Sequence, residues 1–182
     1  KSTKIILGVV AVVILYVMIS YNGLVSGSVG IDGQWAQVEA QYQRRFDLIP
    51  NLVESVKGIM KQEQEVFTAI ADARTRYAGA TTVDARAKAA GEVESALGRL
   101  LVITENYPQL KSSENVQTLM AELAGTENRV SFERKQFNEA VQGYNLKTKR
   151  FPSSVIASVF GFEARDYFEA ASGSEKAPAV KF

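Results

Sequence analysis

The sequence predicts an all-α protein: an N-terminal transmembrane helix, then an elongated, antiparallel up-and-down bundle of three long helices plus a short C-terminal helix. Three observations support this fold class. An apolar run opens the chain, a heptad stripe follows from Trp35, and short breaks containing glycine or proline divide the remainder into amphipathic segments. The predicted divisions are an anchor with its flank at 1–25, a glycine-rich hinge at 26–34, the bundle at 35–168 and a flexible tail at 169–182.

The apolar run has the length of a bilayer crossing. Residues 5–19 form an unbroken apolar stretch, which continues to residue 25 with interruptions only at Ser20, Asn22 and Gly23. A transmembrane helix needs roughly 17 to 25 mainly apolar residues, so residues 5–25 are expected to contact membrane lipid. A cleavable signal peptide is the alternative, because Lys1 and Lys4 form a basic flank before a core of suitable length.

Flanking charge predicts the orientation of this span. Lys1 and Lys4 precede it, whereas Asp32 and Glu39 are the first charged residues after it. Positive charge beside a span favours the cytoplasmic side, so the N-terminus is expected in the cytoplasm. In a bacterium the span would lie in the inner membrane, and the bundle would face the periplasm or the cell exterior.

A glycine-rich segment separates the span from the bundle. Gly27, Gly30 and Gly33 each lower helix propensity by about 1 kcal/mol relative to alanine. Residues 26–34 are therefore interpreted as a hinge or a weakened helix.

A heptad pattern predicts the first long helix of the bundle. A 3.5-residue period sustained over about six heptads keeps one apolar stripe facing its partners. Arg45 and Glu63 interrupt the stripe, and Pro50 is expected to kink the helix or divide it into two coaxial pieces. The stripe consists of Trp35, Val38, Tyr42, Arg45, Ile49, Leu52, Val56, Ile59, Glu63, Val66, Ile70, Ala73 and Tyr77.

Turn signals divide the rest of the chain into further helices. Gly79 and the threonines after it predict a helix stop and a new N-terminal cap, and Pro108 is expected to end the second helix. The third helix is predicted from a polar turn at 112–115 to the cations before Pro152. An apolar segment at 155–168 is expected to cap the bundle as its fourth element; an interfacial, lipid-binding helix is the alternative.

Composition argues against several functional classes. The 21 Lys+Arg residues balance 20 Asp+Glu residues, so a nucleic-acid binder is not expected. The chain contains no histidine and no cysteine, which removes imidazole bases, thiolate nucleophiles and the usual zinc ligands. We therefore assign no catalytic, cofactor-binding or metal-binding residue and expect no cofactor. An enzyme would have to depend on Asp/Glu pairs in a cleft.

Two groups of polar residues have both a functional and a structural interpretation. Thr126 lies at a seam position of the third helix and is expected to fix helix register through a buried hydrogen bond. Charges on a long helix usually form a solvated face, although they could also line a groove. The charged residues in question are Arg44, Arg45, Asp47, Glu54 and Glu63.

Several sequence blocks resemble the LemA family of bacterial, membrane-anchored helical bundles. The resemblance extends over nearly the whole chain and keeps the family's order of blocks. It implies a membrane-anchored helical fold and no established enzymatic activity. The matching blocks are Tyr21-Asn22-Gly23-Leu24-Val25, Trp35-Ala36-Gln37-Val38-Glu39, Arg44-Arg45, Asp47-Leu48-Ile49-Pro50-Asn51-Leu52-Val53, Glu105-Asn106-Tyr107-Pro108, Leu110-Lys111, Glu122-Leu123-Ala124-Gly125-Thr126-Glu127-Asn128-Arg129-Val130, Tyr144-Asn145, Phe151-Pro152 and Phe160-Gly161-Phe162.

Two sets of residues are candidate contact surfaces. Aromatic side chains near the C-terminal end are candidate contacts between copies in a homo-oligomer: Phe151, Phe160, Phe162, Tyr167 and Phe168. The last residues, which include Pro178, Val180 and Phe182, place alternate apolar side chains on one face of an extended strand. Such an ending fits a PDZ-like groove of a protein partner or a neighbouring copy, and an ordinary frayed tail is the structural alternative.

These features predict a non-enzymatic scaffold or interaction protein in the membrane that self-associates or recruits partners. The alternative is a membrane-organising protein that binds lipid through its C-terminal apolar segment.

Overall fold

The computed structural model describes residues 2–168, and within this range every regular element is an α-helix. The predicted all-α class with one apolar N-terminal helix is confirmed. The elements are α1 (Ser2–Lys57), α2 (Gln64–Gly79), α3 (Val83–Thr104), α4 (Pro108–Lys111), α5 (Glu114–Lys149) and α6 (Ser153–Phe160).

The glycine-rich segment at 26–34 is helical and belongs to α1, so the predicted hinge is not a break in the helix. Its neighbours explain why. Leu24 and Ile31 are 1% and 3% exposed, and burying each such side chain contributes about 1.5–3 kcal/mol, enough to offset the low propensity of the glycines. At Gly27 the missing side chain also serves packing, because a Cβ there would lie 3.1 Å from Cδ2 of Tyr144.

The sequence predicted a kink or a break at Pro50. In the structure the first long heptad segment is broken at residues 58–63 instead. Pro50 lies on an exposed face of α1, where water can satisfy the carbonyl that lacks its partner. The chain turns after Lys57, where the amides of Ile59 and Met60 both bond to the Val56 carbonyl, at 3.0 and 2.9 Å. Met60 is consequently buried, whereas Ile59, the predicted stripe position, is 39% exposed.

Helices α2 and α3 form a helical hairpin, as the turn signals predicted. Helix α2 ends at Gly79, and Thr82 caps α3 by accepting a hydrogen bond from the Ala85 amide at 3.2 Å. Arg76 bridges from α2 to Glu92 of α3 at 2.5 Å. The connection between the helices is therefore short and fixed at both ends.

Prolines mark helix starts as well as helix stops. Helix α3 already ends at Thr104, and Pro108 occupies the first turn of the short helix α4, a position where its missing amide proton costs nothing. Helix α5 ends at Lys149, close to the predicted position, with cations in its last turn.

The described residues form two compact units. The first contains residues 2–37 and 134–167, and the second contains residues 38–133 together with Phe168. In the first unit Trp35 meets Phe137 edge-on, with ring centroids 5.3 Å apart. In the second, the stripe of α1 is buried as predicted, at Val38, Tyr42, Ile49, Leu52 and Val56.

Candidate functional site

The N-terminal part of α1 is an apolar surface without protein cover. Its large apolar side chains from Ile5 to Ile19 are mostly half or more exposed, and the most apolar 18-residue window has a mean hydropathy of 2.4 with none of it buried. A helix that is apolar all round is stable only in a protein core or in lipid. By length and composition this helix can cross a membrane.

Protein cover on α1 begins at residues 21–24. The ring of Tyr21 packs edge-on against Phe160 and Phe162, with centroid distances of 5.0 and 5.6 Å. Leu24 is buried, and the Lys147 ammonium lies 3.5 Å from the Gly23 carbonyl. These contacts mark where the uncovered part of α1 ends and the packed part begins.

A turn after α6 directs Phe162 back to Tyr21. Gly161 has φ +73°, the left-handed conformation that favours glycine at a helix C-terminus. The amide of Phe162 then bonds to the Ala157 carbonyl at 2.8 Å. This Schellman-type ending explains why the Phe160-Gly161-Phe162 block places two aromatic rings on the same tyrosine.

Asn145 ties the segment after α6 to α5. Its amide nitrogen donates to the Arg165 carbonyl and its amide oxygen accepts from the Arg165 backbone amide, both at 2.8 Å. The Arg165 guanidinium continues to Asp32 of α1 at 2.7 Å and to the Ser28 hydroxyl at 3.4 Å. Burial raises the pKa of the neighbouring Tyr144, although Arg165 partly opposes the effect, so the phenol stays neutral at physiological pH.

A buried arginine organises polar contacts in the second unit. Arg45 is 6% exposed and forms an ion pair with Glu127, while Glu94 lies 3.9 Å away. The Tyr42 hydroxyl donates to Glu94 at 3.3 Å. The predicted interruption of the heptad stripe is thus a charge matched by carboxylates from α3 and α5.

The charged residues of the first helix do not line one groove, which was the alternative to the expected solvated face. Arg44, Asp47 and Glu54 are exposed, whereas Arg45 is buried, so their side chains lie on different faces. Glu63 lies beyond the end of α1 and accepts a hydrogen bond from the Tyr107 hydroxyl at 3.3 Å. Desolvation and the Glu63 charge both raise the pKa of Tyr107, which keeps the phenol protonated as a donor.

Thr126 was predicted to fix helix register through a buried hydrogen bond, but its hydroxyl bonds within its own helix. Thr126 is buried, but its hydroxyl donates to the Leu123 carbonyl of its own helix at 2.6 Å. The adjacent Glu127 makes the contact between helices instead, through Arg45. Sequence reasoning missed Glu94 and Glu127 as partners; the available signal was a carboxylate directly after a seam position on each helix.

One open groove of about 630 Å³ lies in the second unit. It contains two guanidinium groups and one carboxylate, from Arg44, Arg129 and Glu122, with small and apolar residues between them. Among residues 2–168 no three Asp or Glu side chains come together to hold a metal ion. The groove offers no acid–base pair of carboxylates and no nucleophile beyond a threonine hydroxyl.

The candidate contact residues differ in accessibility. Phe151, Phe160 and Tyr167 are 84%, 51% and 43% exposed, and Phe162 is half-buried. Phe168 is only 5% exposed, so it offers little surface to a second copy. The tail candidates Pro178, Val180 and Phe182 lie outside the described residues.

The all-α fold and the uncovered apolar helix place this chain in the class of helical proteins that associate with a membrane through one N-terminal helix. Within it, this chain belongs to the LemA family, whose sequence profile matches residues 34–182 and confirms the resemblance of the sequence blocks. It is similar to magnetosome protein MamQ 2 of Paramagnetospirillum magneticum, with 26% identity over 190 residues, covering 90% of this chain and 70% of the relative. Magnetosome protein MamQ of Magnetospirillum gryphiswaldense is 25% identical over 177 residues, covering 83% and 65% respectively.

A first prediction concerns the buried arginine. Replacing Glu94→Gln and Glu127→Gln together should lower the free energy of unfolding by roughly 2–3 kcal/mol, because Arg45 stays buried without either carboxylate. Adding Arg45→Met should recover most of this loss, since it removes the isolated charge and keeps the packing. Urea unfolding of the full-length protein in detergent, followed by circular dichroism, measures both changes. A further loss in the triple variant would contradict this account.

A second prediction concerns the boundary of the anchor. Removing residues 1–19 should release a soluble, strongly helical protein, whereas the full chain should sediment with membranes. Removing residues 1–25 should also destabilise the domain by about 2 kcal/mol, because it deletes the buried Leu24. Ultracentrifugation of lysates and thermal unfolding distinguish the three forms. Recovery of the full chain in the soluble fraction would rule out the anchor.

Proposed function

We propose that this chain is a non-enzymatic scaffold, anchored in the bacterial inner membrane, which self-associates and recruits partner proteins at the cell envelope. The observation that carries the proposal is α1 itself, one helix with an uncovered apolar segment followed by a packed heptad seam. An up-and-down bundle on this helix would present its outer faces to partners, as the sequence pattern predicts.

The polar groups of the second unit support a structural role over catalysis. Glu94 and Glu127 both lie beside the Arg45 guanidinium, and Glu39 pairs with Arg86. A catalytic carboxylate pair would instead need a shared cleft. With no histidine or cysteine anywhere in the sequence, few groups remain for acid–base or nucleophilic chemistry.

Self-association is proposed through exposed aromatic residues and the C-terminal tail. Phe151 is the most exposed of the aromatic candidates, with Tyr167 also accessible. Pro178, Val180 and Phe182 would dock on a neighbouring copy or in a partner's groove by adding a strand. Soluble homo-oligomers are usually closed and symmetric, so we expect a ring or cage of anchored chains.

A third prediction tests self-association and the tail together. Full-length protein in mild detergent should form a defined oligomer by light scattering, and Phe182→Ala should reduce its size or abolish a specific pulldown without changing helix content. Lys181→Ala is the matched control, because in a docked, extended strand its side chain would point to the face opposite that of Phe182. A monomer would contradict self-association. Unchanged size and pulldown in Phe182→Ala would show that the tail carries no recognition.

The proposed orientation gives a fourth prediction. Lys4 precedes the span, and Asp32 and Glu39 are the first charges after it, which favours a cytoplasmic N-terminus. Protease added to intact spheroplasts should therefore digest the helical domain. A cytoplasmic marker protein must survive the same treatment, and protection of the domain alongside it would reverse the orientation.

A further inference from the structure

We propose that α6 and the cations before it form a second membrane contact. In this arrangement α6 lies in the bilayer interface, with its apolar face against acyl chains and Lys147, Lys149 and Arg150 on the phosphates of anionic lipid headgroups. The occupant of this surface is lipid, and the contact is additional to the anchor and to the proposed scaffold role.

The exposed side of α6 is its apolar side. At 100° per residue, four large apolar side chains fall within a sector of about 140°, and small residues occupy the rest of the circumference. Val155, Val159 and Phe160 are 52%, 72% and 51% exposed, and Ile156 is half-buried. On the small side Ala157 is 2% exposed, and Ser158 is exposed. A surface helix in a soluble protein buries its apolar side, whereas α6 leaves three of its four large apolar side chains exposed.

The position of α6 relative to α1 places this apolar face at the membrane boundary. Phe160 and Phe162 contact Tyr21, which itself lies inside the apolar stretch 5–25. Tyrosine is enriched at the interface between hydrocarbon and headgroups. The uncovered helix from Ile5 to Tyr21 is about 25 Å long, shorter than the roughly 30 Å of a bilayer core. A bilayer core that begins at Ile5 would therefore extend past Tyr21 to the level of Phe160.

The charges around α6 match an anionic surface. Lys147, Lys149 and Arg150 are exposed and precede the helix directly. The carboxylates on this part of the chain are Glu163 and Asp166, while Arg165 already pairs with Asp32. Apart from Arg165, residues 147–166 contain three cations and two carboxylates. A basic cluster beside an apolar helix face is the combination that binds anionic bilayers.

Continuity with the anchor favours lipid over a second copy as the occupant. The uncovered surface of α1 ends at Tyr21, and the exposed ring of Phe160 lies directly against it. A protein partner on α6 would have to share this boundary with acyl chains. Self-association through Phe151, Tyr167 or the tail does not depend on the outcome.

Because the chain has no cysteine, a single fluorescent label can report the position of α6. The full-length protein carrying Val159→Cys with an environment-sensitive dye is reconstituted into phosphatidylglycerol vesicles containing acyl-chain quenchers. Gln142→Cys, at an exposed position of α5, is the matched control. We expect a blue-shifted emission and strong lipid quenching at residue 159, with neither at residue 142.

Three outcomes would overturn the lipid contact. Equal quenching of both labels by aqueous iodide would place α6 in water. A blue shift at residue 159 without lipid quenching would assign the surface to a second copy. Failure of the vesicles to retain the protein on flotation would instead remove the anchor, and with it the proposed function.

The cations are tested separately, by replacing Lys149→Gln and Arg150→Gln in the labelled protein. The blue shift should be larger in phosphatidylglycerol than in phosphatidylcholine vesicles, and the double replacement should abolish that difference. An equal shift in both lipids for the unaltered protein would overturn the assignment of these cations to headgroup phosphates.

Discussion

The uncovered apolar surface of α1 is the constraint on which the other features of the first unit depend. Water around this segment would carry a large free-energy penalty, which favours lipid around it, and protein contacts begin where the fully uncovered part of the helix ends. Tyr21 and Leu24 mark that position on a single continuous helix. The aromatic contacts, the Gly161 turn and the Lys147 contact all gather within a few residues of it.

Polar side chains connect different helices or segments in both units. Arg45 sits where the heptad calls for an apolar residue, and a hydrocarbon side chain there would cost less desolvation. Its contacts with Glu94 and Glu127 are available only when α1, α3 and α5 adopt one register. In the first unit the exposed ion pair between Asp32 and Arg165 links α1 to the segment after α6.

Periodicity predicted the helices and most of the seam, because both depend on local spacing. The burial of Val38, Tyr42 and Leu52 follows from the 3.5-residue repeat alone. Features that depend on contacts distant in the sequence were harder to predict. Pro50 stays within a helix because its face is exposed, and a turn at Gly58 shifts burial from Ile59 to Met60.

The polar contacts show the same limit of sequence reasoning. A charged residue within an apolar stripe predicts a partner of opposite charge. The stripe alone does not identify which carboxylate is that partner. Glu94 and Glu127 are 49 and 82 positions from Arg45, and only the packing of three helices brings them near it. The exposed apolar face of α6 was likewise ambiguous, since its few residues fit either a bundle cap or an interfacial helix.

The contact between Asn145 and Arg165 requires particular hydrogen-bonding groups as well as a particular side-chain shape. Its amide matches the backbone of Arg165 as a neighbouring strand would, with one donor and one acceptor in the same plane. Aspartate has nearly the same outline, yet it would turn a second oxygen toward the Arg165 carbonyl and replace attraction by repulsion. Glutamine has the correct groups one methylene too far away. The segment after α6 is thus held by a side chain for which neither the isostere nor the homologue is an equivalent.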